Sequence, residues 1–155
     1  MAEVMRTKID GFLKVPDIPG ESTRDGHEEE IEVYGVEYSM VAPFDANSLS
    51  RRGRVSMGMI TFAKQYDKAS PLLKMALFKN TKLDEVKFSA RRTIEGETSD
   101  YLVVTLKEAS VMNYEMHVSP EEPDVIEDRV GFAYKTIVFA YDGGDEMEMD
   151  VSVGK

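Results

Sequence analysis

Residues 18–38 read IPGESTRDGHEEEIEVYGVEY, and the order of features in this stretch decides the fold class. A Pro19-Gly20 turn opens it and a polar run leads to a lone His27. Three glutamates follow, and then an extended, strand-like segment. Ser22, His27 and the glutamates are the ingredients of an active site, but the pattern does not assemble one. Successive strand residues point to opposite faces, so Glu28, Glu29 and Glu30 do not converge with His27 on a metal. Ser22 has no Gly-x-Ser-x-Gly elbow around it. A zinc-protease helix would need a second histidine at position 31, where Ile31 stands. The surviving reading is a turn, with His27 fixing the start of a long strand over 28–41. Its faces are Ile31, Val33, Gly35, Glu37 and Ser39 on one side, and Glu32, Tyr34, Val36, Tyr38 and Met40 on the other. Neither face is apolar throughout, so each must meet something.

Outward from this stretch the chain is mostly β. Residues 7–15 alternate Ile9, Gly11, Leu13 and Val15 against Lys8, Asp10, Phe12 and Lys14, and two prolines then break the run. Residues 42–53 read as a surface loop ending in the basic cluster Arg51, Arg52 and Arg54. Extended runs follow over 55–62, over 83–94, from 101 towards 116, over 130–141 and over 146–153. The last alternates Met147, Met149, Val151 and Val153 inward, which makes Val151 a core position. Residues 119–124 read as an acidic, Pro-containing loop, and Asp142-Gly143-Gly144-Asp145 as a hairpin turn. The one helix opens near Ser70 as N-cap with Pro71 at its first position, presents Leu72, Leu73, Met75, Ala76, Leu77 and Phe78, and stops at Asn80. The expected architecture is mainly β: a small antiparallel β-barrel or sandwich of about seven strands with one short flanking helix, in a single domain over 1–155.

Composition narrows the function. The 155 residues include no cysteine, so thiolate metal sites, disulfides and a Cys nucleophile are excluded. Neither a cleaved signal peptide nor a membrane span is expected. The formal net charge of −10 argues against nucleic-acid binding. Residues 120–155 carry 10 acids against 3 bases, opposite in sign to the cluster Arg51, Arg52 and Arg54. Opposite charges on separate surfaces of one chain suit head-to-tail association. No phosphate-cradling glycine loop, nucleophile or paired acid and base is assembled, so no enzymatic activity and no cofactor are expected.

Several segments together resemble one family. They are Gly20-Glu21-Ser22 with His27 and Ile31-Glu-Val33; Asp67-Lys-Ala-Ser-Pro71; Tyr101-Leu-Val-Val-Thr-Leu106 with Val111; and Glu127-Asp-Arg-Val130 leading to Phe132-Ala-Tyr134 and Tyr141. In this order and spacing the sequence looks like the haemolysin-coregulated protein (Hcp) family of the bacterial type VI secretion system. The resemblance implies a hexameric ring that stacks into a tube inside a contractile sheath, with spike and baseplate proteins as partners and effector proteins in the lumen. It implies residence in the cytoplasm before firing and then export to the medium or a target cell without a cleaved signal. Gly20, Glu21, Ser22 and His27 would be structural, Arg51, Arg52 and Arg54 would lie in the ring-stacking loop, and Glu37 would face the lumen or an interface. Many relatives carry tryptophan where Val36 or Tyr38 stands here. The competing readings are a monomeric secreted barrel acting as effector or ligand-binding protein, and a phage-type tail tube protein.

Overall fold

The computed structural model describes residues 9–151. Its elements run β1 (Asp10–Lys14), β2 (Ile31–Val33), β3 (Gly35–Glu37), β4 (Met40–Val41), β5 (Ser56–Met57), β6 (Ile60–Gln65), α1 (Ala69–Phe78), β7 (Leu83–Ile94), β8 (Glu97–Ser119), β9 (Glu122–Ala133), β10 (Thr136–Tyr141) and β11 (Glu146–Asp150). All pairings are antiparallel. The main sheet has the order β2-β1-β7-β8-β9-β6-β3, with β10 on β8 and β11 on β10.

The spine is β8. The two-residue turn Glu95-Gly96, with both φ angles positive, joins it to β7, the type I′ geometry that matches strand twist. Along its other side β9 and then β10 run in one register, from Ser110↔Ala133 to Lys107↔Thr136. Between the two halves Glu108 sits at φ 49, which bends a 23-residue strand that would otherwise outrun the core.

The sheet curls until its two edges are successive pieces of chain. β2 pairs with β1 and β3 with β6, and Tyr34 between them donates its backbone N–H to Ala63. No ladder joins β2 to β6, so the barrel is not closed among the described residues. Inside it Phe62 meets Phe88 and Phe132 at centroid distances of 5.1 and 5.8 Å, among Leu13, Ile31, Leu73, Val86, Leu106 and Ile137.

The mainly β architecture with one short helix is as the sequence reads, but four details differ. The expected strand over 28–41 is three short strands, because this chain segment crosses from β1 to β6 and then leaves the barrel at Ser39. Likewise 55–62 breaks at Gly58-Met59, where the Gly58 N–H meets the Ser39 carbonyl, so β4 and β5 form a separate two-stranded arm. These breaks, with the separate β9 and β10, raise the strand count from about seven to eleven. Second, the acidic segment 119–124 is mostly strand, with only a tight turn between Ser119 and Glu122.

Third, α1 starts at Ala69 with Lys68 as N-cap, so Ser70 is not the cap. Asp67 does that work, its Oδ1 accepting the Ala69 N–H at 2.9 Å, while Ser70 is buried for a different purpose. At the other end Asn80 takes φ 53, with its N–H on Leu77 and that of Thr81 on Ala76, the Schellman termination. Fourth, β11 pairs only with β10 and lies past the rim of the core. Met149 packs inward, but Met147 is 66% exposed and Val151 follows the strand on the surface; Val153 and the first two residues of the run 7–15 lie outside the described residues. Val151→Asp is therefore expected to change the unfolding free energy by less than about 1 kcal/mol, and a loss of several kcal/mol in urea denaturation would restore Val151 to the core.

Candidate functional site

The 18–38 stretch folds into a closed clasp. Gly20 and Ser22 run antiparallel to Glu29 and Glu30, linked by the Gly20 N–H to Glu29, the Ser22 N–H to Glu30 and the Glu29 N–H to Ser22. His27 is 5% exposed and stacks face to face on Phe12 at 4.3 Å. Its Nδ1 lies 2.8 Å from Glu30 Oε1, and its Nε2 is 3.1 Å from both oxygens of Asp100 on β8. Arg91 joins the same cluster, with Nε 3.3 Å from Asp100 and Nη2 donating to the Asp25 carbonyl. Both imidazole nitrogens are engaged and the ring is walled in, which leaves no free lone pair for substrate or metal. The Ser22 hydroxyl accepts the Arg24 N–H at 3.2 Å and does not face His27 as a nucleophile would.

A second polar cluster, which the sequence reading missed, sits under α1. Lys64, Ser70 and Asp128 are each 0% exposed. The Lys64 ammonium donates to Asp67 Oδ1 at 2.9 Å, Ser70 Oγ at 2.9 Å, the Gln65 carbonyl at 3.0 Å and Asp128 Oδ2 at 3.1 Å. The Ser70 hydroxyl also donates to Asp128 Oδ2. A lysine beside a serine suggests a nucleophile with its base, but a fully buried hydroxyl has no substrate to attack. The cluster instead pins the start of α1 to β6 and β9. Glu21 adds a tie from the clasp, accepting the Lys68 N–H at 2.7 Å. The segments 20–22, 67–71 and 127–130, distant in sequence, thus meet through hydrogen bonds.

Burial and then the neighbouring Asp128 push the Tyr114 hydroxyl pKa up beside this cluster. On the outer side Tyr34 of the β2–β3 junction donates to Glu127 of β9 at 2.5 Å. That bond is the first cause holding the Glu127 carboxyl below its ordinary range, while burial and then Glu127 push the tyrosine up. The Glu127 contribution to stability is present above the unfolded carboxylate pKa and is lost as pH falls through the depressed folded value.

The exposed features lie elsewhere. The arm over 40–57 carries Val41, Phe44 and Leu49 at 64, 62 and 78% exposure. Arg51, Arg52 and Arg54 are all exposed on it, and none forms an ion pair among the described residues. Arg51 bridges back to Phe44 and its Nε donates to the Gly53 carbonyl. The root of the arm is fixed, for the Tyr134 hydroxyl donates to the Gly58 carbonyl at 2.9 Å and lies 2.8 Å from that of Tyr38. Glu37 stands exposed on β3, on the sheet face it shares with Thr61 and Gly131 through the β3-β6-β9 register. Arg51, Arg52, Arg54 and Glu37 are not brought together with the clasp.

Buried polar anchors tie an apolar β core together, and an arm stands exposed outside it. Residues 12–141 match the family described as "Type VI secretion system effector, Hcp", and the chain belongs to that family. The "Major exported protein" of Pseudomonas aeruginosa is 29% identical over 96 residues, covering 62% of this chain and 56% of that protein. "Protein hcp1" of the same species is 29% identical over 105 residues, covering 66% and 65%. The matched stretch thus spans under two thirds of either relative. Among solved structures, an Hcp1 double mutant from the E. coli EAEC 042 pathovar superposes with a TM-score of 0.80 at 22% identity, covering 92% of this chain and 97% of that one.

Proposed function

We propose that this chain is the tube subunit of a type VI secretion system, a single domain that assembles into rings of six which stack head to tail. Family membership from β1 to the end of β10 is the observation that carries this reading. The exposed arm supports it, because a protruding hairpin with three bare arginines and three large apolar side chains is suited to contact with another copy. In this reading a contractile sheath encloses the tube, a spike tops it, baseplate proteins are further partners, effector proteins travel in its lumen, and the protein passes from the cytoplasm to the exterior on firing. Negative-stain micrographs of the purified protein are expected to show annular particles with a central hole; uniform small globular particles would overturn the proposal.

The arm supplies the stacking contact, with its arginines facing acids of the 120–155 region in the next ring. Replacing Arg51, Arg52 and Arg54 together with Glu is expected to leave single rings and abolish stacks, an effect that high salt reproduces in the wild type. Unchanged stacks in micrographs of the variant would remove the arm from that role. Glu37 faces the lumen or a subunit boundary. The chain has no cysteine, so Glu37→Cys gives a single labelling site, expected to react more slowly with a bulky maleimide in rings than in dissociated subunits. Equal rates would place Glu37 on the outside.

A further inference from the structure

The clasp leaves part of its sheet face uncovered. Through the β1–β7 and β7–β8 ladders Phe12 lies opposite Ser89 and Ser89 opposite Val103, with Lys14 opposite Lys87 two residues along. Directly opposed residues, and those two apart on a strand, share a face. It is the face on which His27 stacks over Phe12. Beside the imidazole a cavity of about 280 Å³ remains, lined by Lys14, Lys87, Ser89 and Val103 and by His27 with its two carboxylates.

The polar groups around this cavity are unevenly satisfied. Its two acids are engaged, Glu30 with His27, and Asp100 with His27 and Arg91. Its two lysines are not. Like charges directly opposite on a ladder repel, and neither Lys14 nor Lys87 forms an ion pair among the described residues, although the chain carries 29 acids to 19 bases. Ser89 is 4% exposed, and its hydroxyl has no hydrogen-bond partner among the described residues. A buried hydroxyl left unpaired is rare and costly, and this one lines the same cavity as the lysines.

We propose that this cavity binds a phosphate group, free or as a small monoester. A phosphate dianion brings two negative charges for two ammoniums, and its oxygens accept from the Ser89 hydroxyl as well as from both lysines. A carboxylate brings one charge and leaves one lysine unmatched. The cavity is larger than a bare phosphate ion, which leaves room for the substituent of an ester. Every group the site uses belongs to one chain, so it is independent of assembly into rings.

Calorimetric titration of the full chain at constant ionic strength tests the site, with inorganic phosphate, glycerol 3-phosphate and acetate as probes. Phosphate or its ester is expected to saturate one site per chain, and acetate to bind about tenfold or more weakly. The tighter of the first two identifies the free ion or the ester as the ligand. Lys14→Gln/Lys87→Gln is expected to weaken phosphate binding by about tenfold or more and Ser89→Ala by about fivefold, with circular dichroism melts verifying that each is folded. In the wild type, acetylation read by mass spectrometry is expected to show Lys14 and Lys87 protected by phosphate, while Lys79 and Lys82 react as before. The site would be overturned by the absence of saturable binding, by acetate binding as tightly as phosphate, or by Lys14 and Lys87 reacting alike with and without phosphate. A folded double variant that binds phosphate like wild type would overturn it as well.

Discussion

Asp128→Ala is expected to destabilise the protein by about 3–5 kcal/mol, the loss that follows when one partner of a buried ion pair is removed. The Lys64 ammonium has no exposed surface, so it cannot turn to water when Asp128 goes. Asp67, Ser70 and the Gln65 carbonyl still hold it, but Ser70 loses its nearer acceptor and keeps only Asp67 Oδ1 at 3.4 Å. Urea denaturation measures the loss, with the slope unchanged if the native state stays compact. The paired replacement Lys64→Met with Asp128→Leu removes both charges and fills similar volumes, and should recover most of the stability. A loss under about 1 kcal/mol in Asp128→Ala would mean that the cluster does not hold α1.

Gly20→Ala is the second large expected effect, at about 3 kcal/mol, the upper range for forcing extra atoms into a packed site. A Cβ at Gly20 would lie 2.3 Å from the Glu30 carbonyl oxygen and 2.4 Å from Ile31 Cα. Both are backbone atoms of the strand that the clasp opens, so neither can swing aside as a side chain would. Relief requires the clasp to part, which takes Glu30 from His27 and Glu21 from the start of α1. Gly143→Ala is the control. It has open space around it but φ +72, so it should cost only about 1 kcal/mol. If the two variants melt alike, the close approach at Gly20 is not what the position requires.

These two sites also show what was legible in the sequence. Turn chemistry was local and readable at Asp142–Asp145 and at the Asn80 helix stop, but the turn expected at Pro19-Gly20 falls at Pro16-Asp17, where Val15 bridges Ile18 and Asp17 takes φ 62. Strand continuity was not. Residues 28–41 have one alternating pattern, yet Tyr34 and Ser39 are points where the chain changes partners, and pairing is a property of the partner as much as of the segment. Val151 fits its alternation but lies beyond the rim, since period 2 gives the face and not what covers it. Lys64 was within reach. Ile60 and Phe62 point inward, and the same period carried two residues further places a lysine in the core and demands a buried acid. The segments 67–71 and 127–130 contain its partners, Ser70 and Asp128, but their meeting across 58 positions is tertiary. In the clasp, strand geometry was expected to keep the glutamates from His27, yet Glu30 meets its Nδ1 at 2.8 Å because the strand begins only at Ile31, and the Asp100 partner of His27, 73 residues away, had no local signal.

The mass of the purified protein in solution tests the account most directly. Size-exclusion chromatography with light scattering is expected to give a ring of six times the 17.5 kDa chain mass, dissociating on dilution without loss of secondary structure. A folded species of 17.5 kDa at every concentration tried would contradict the account.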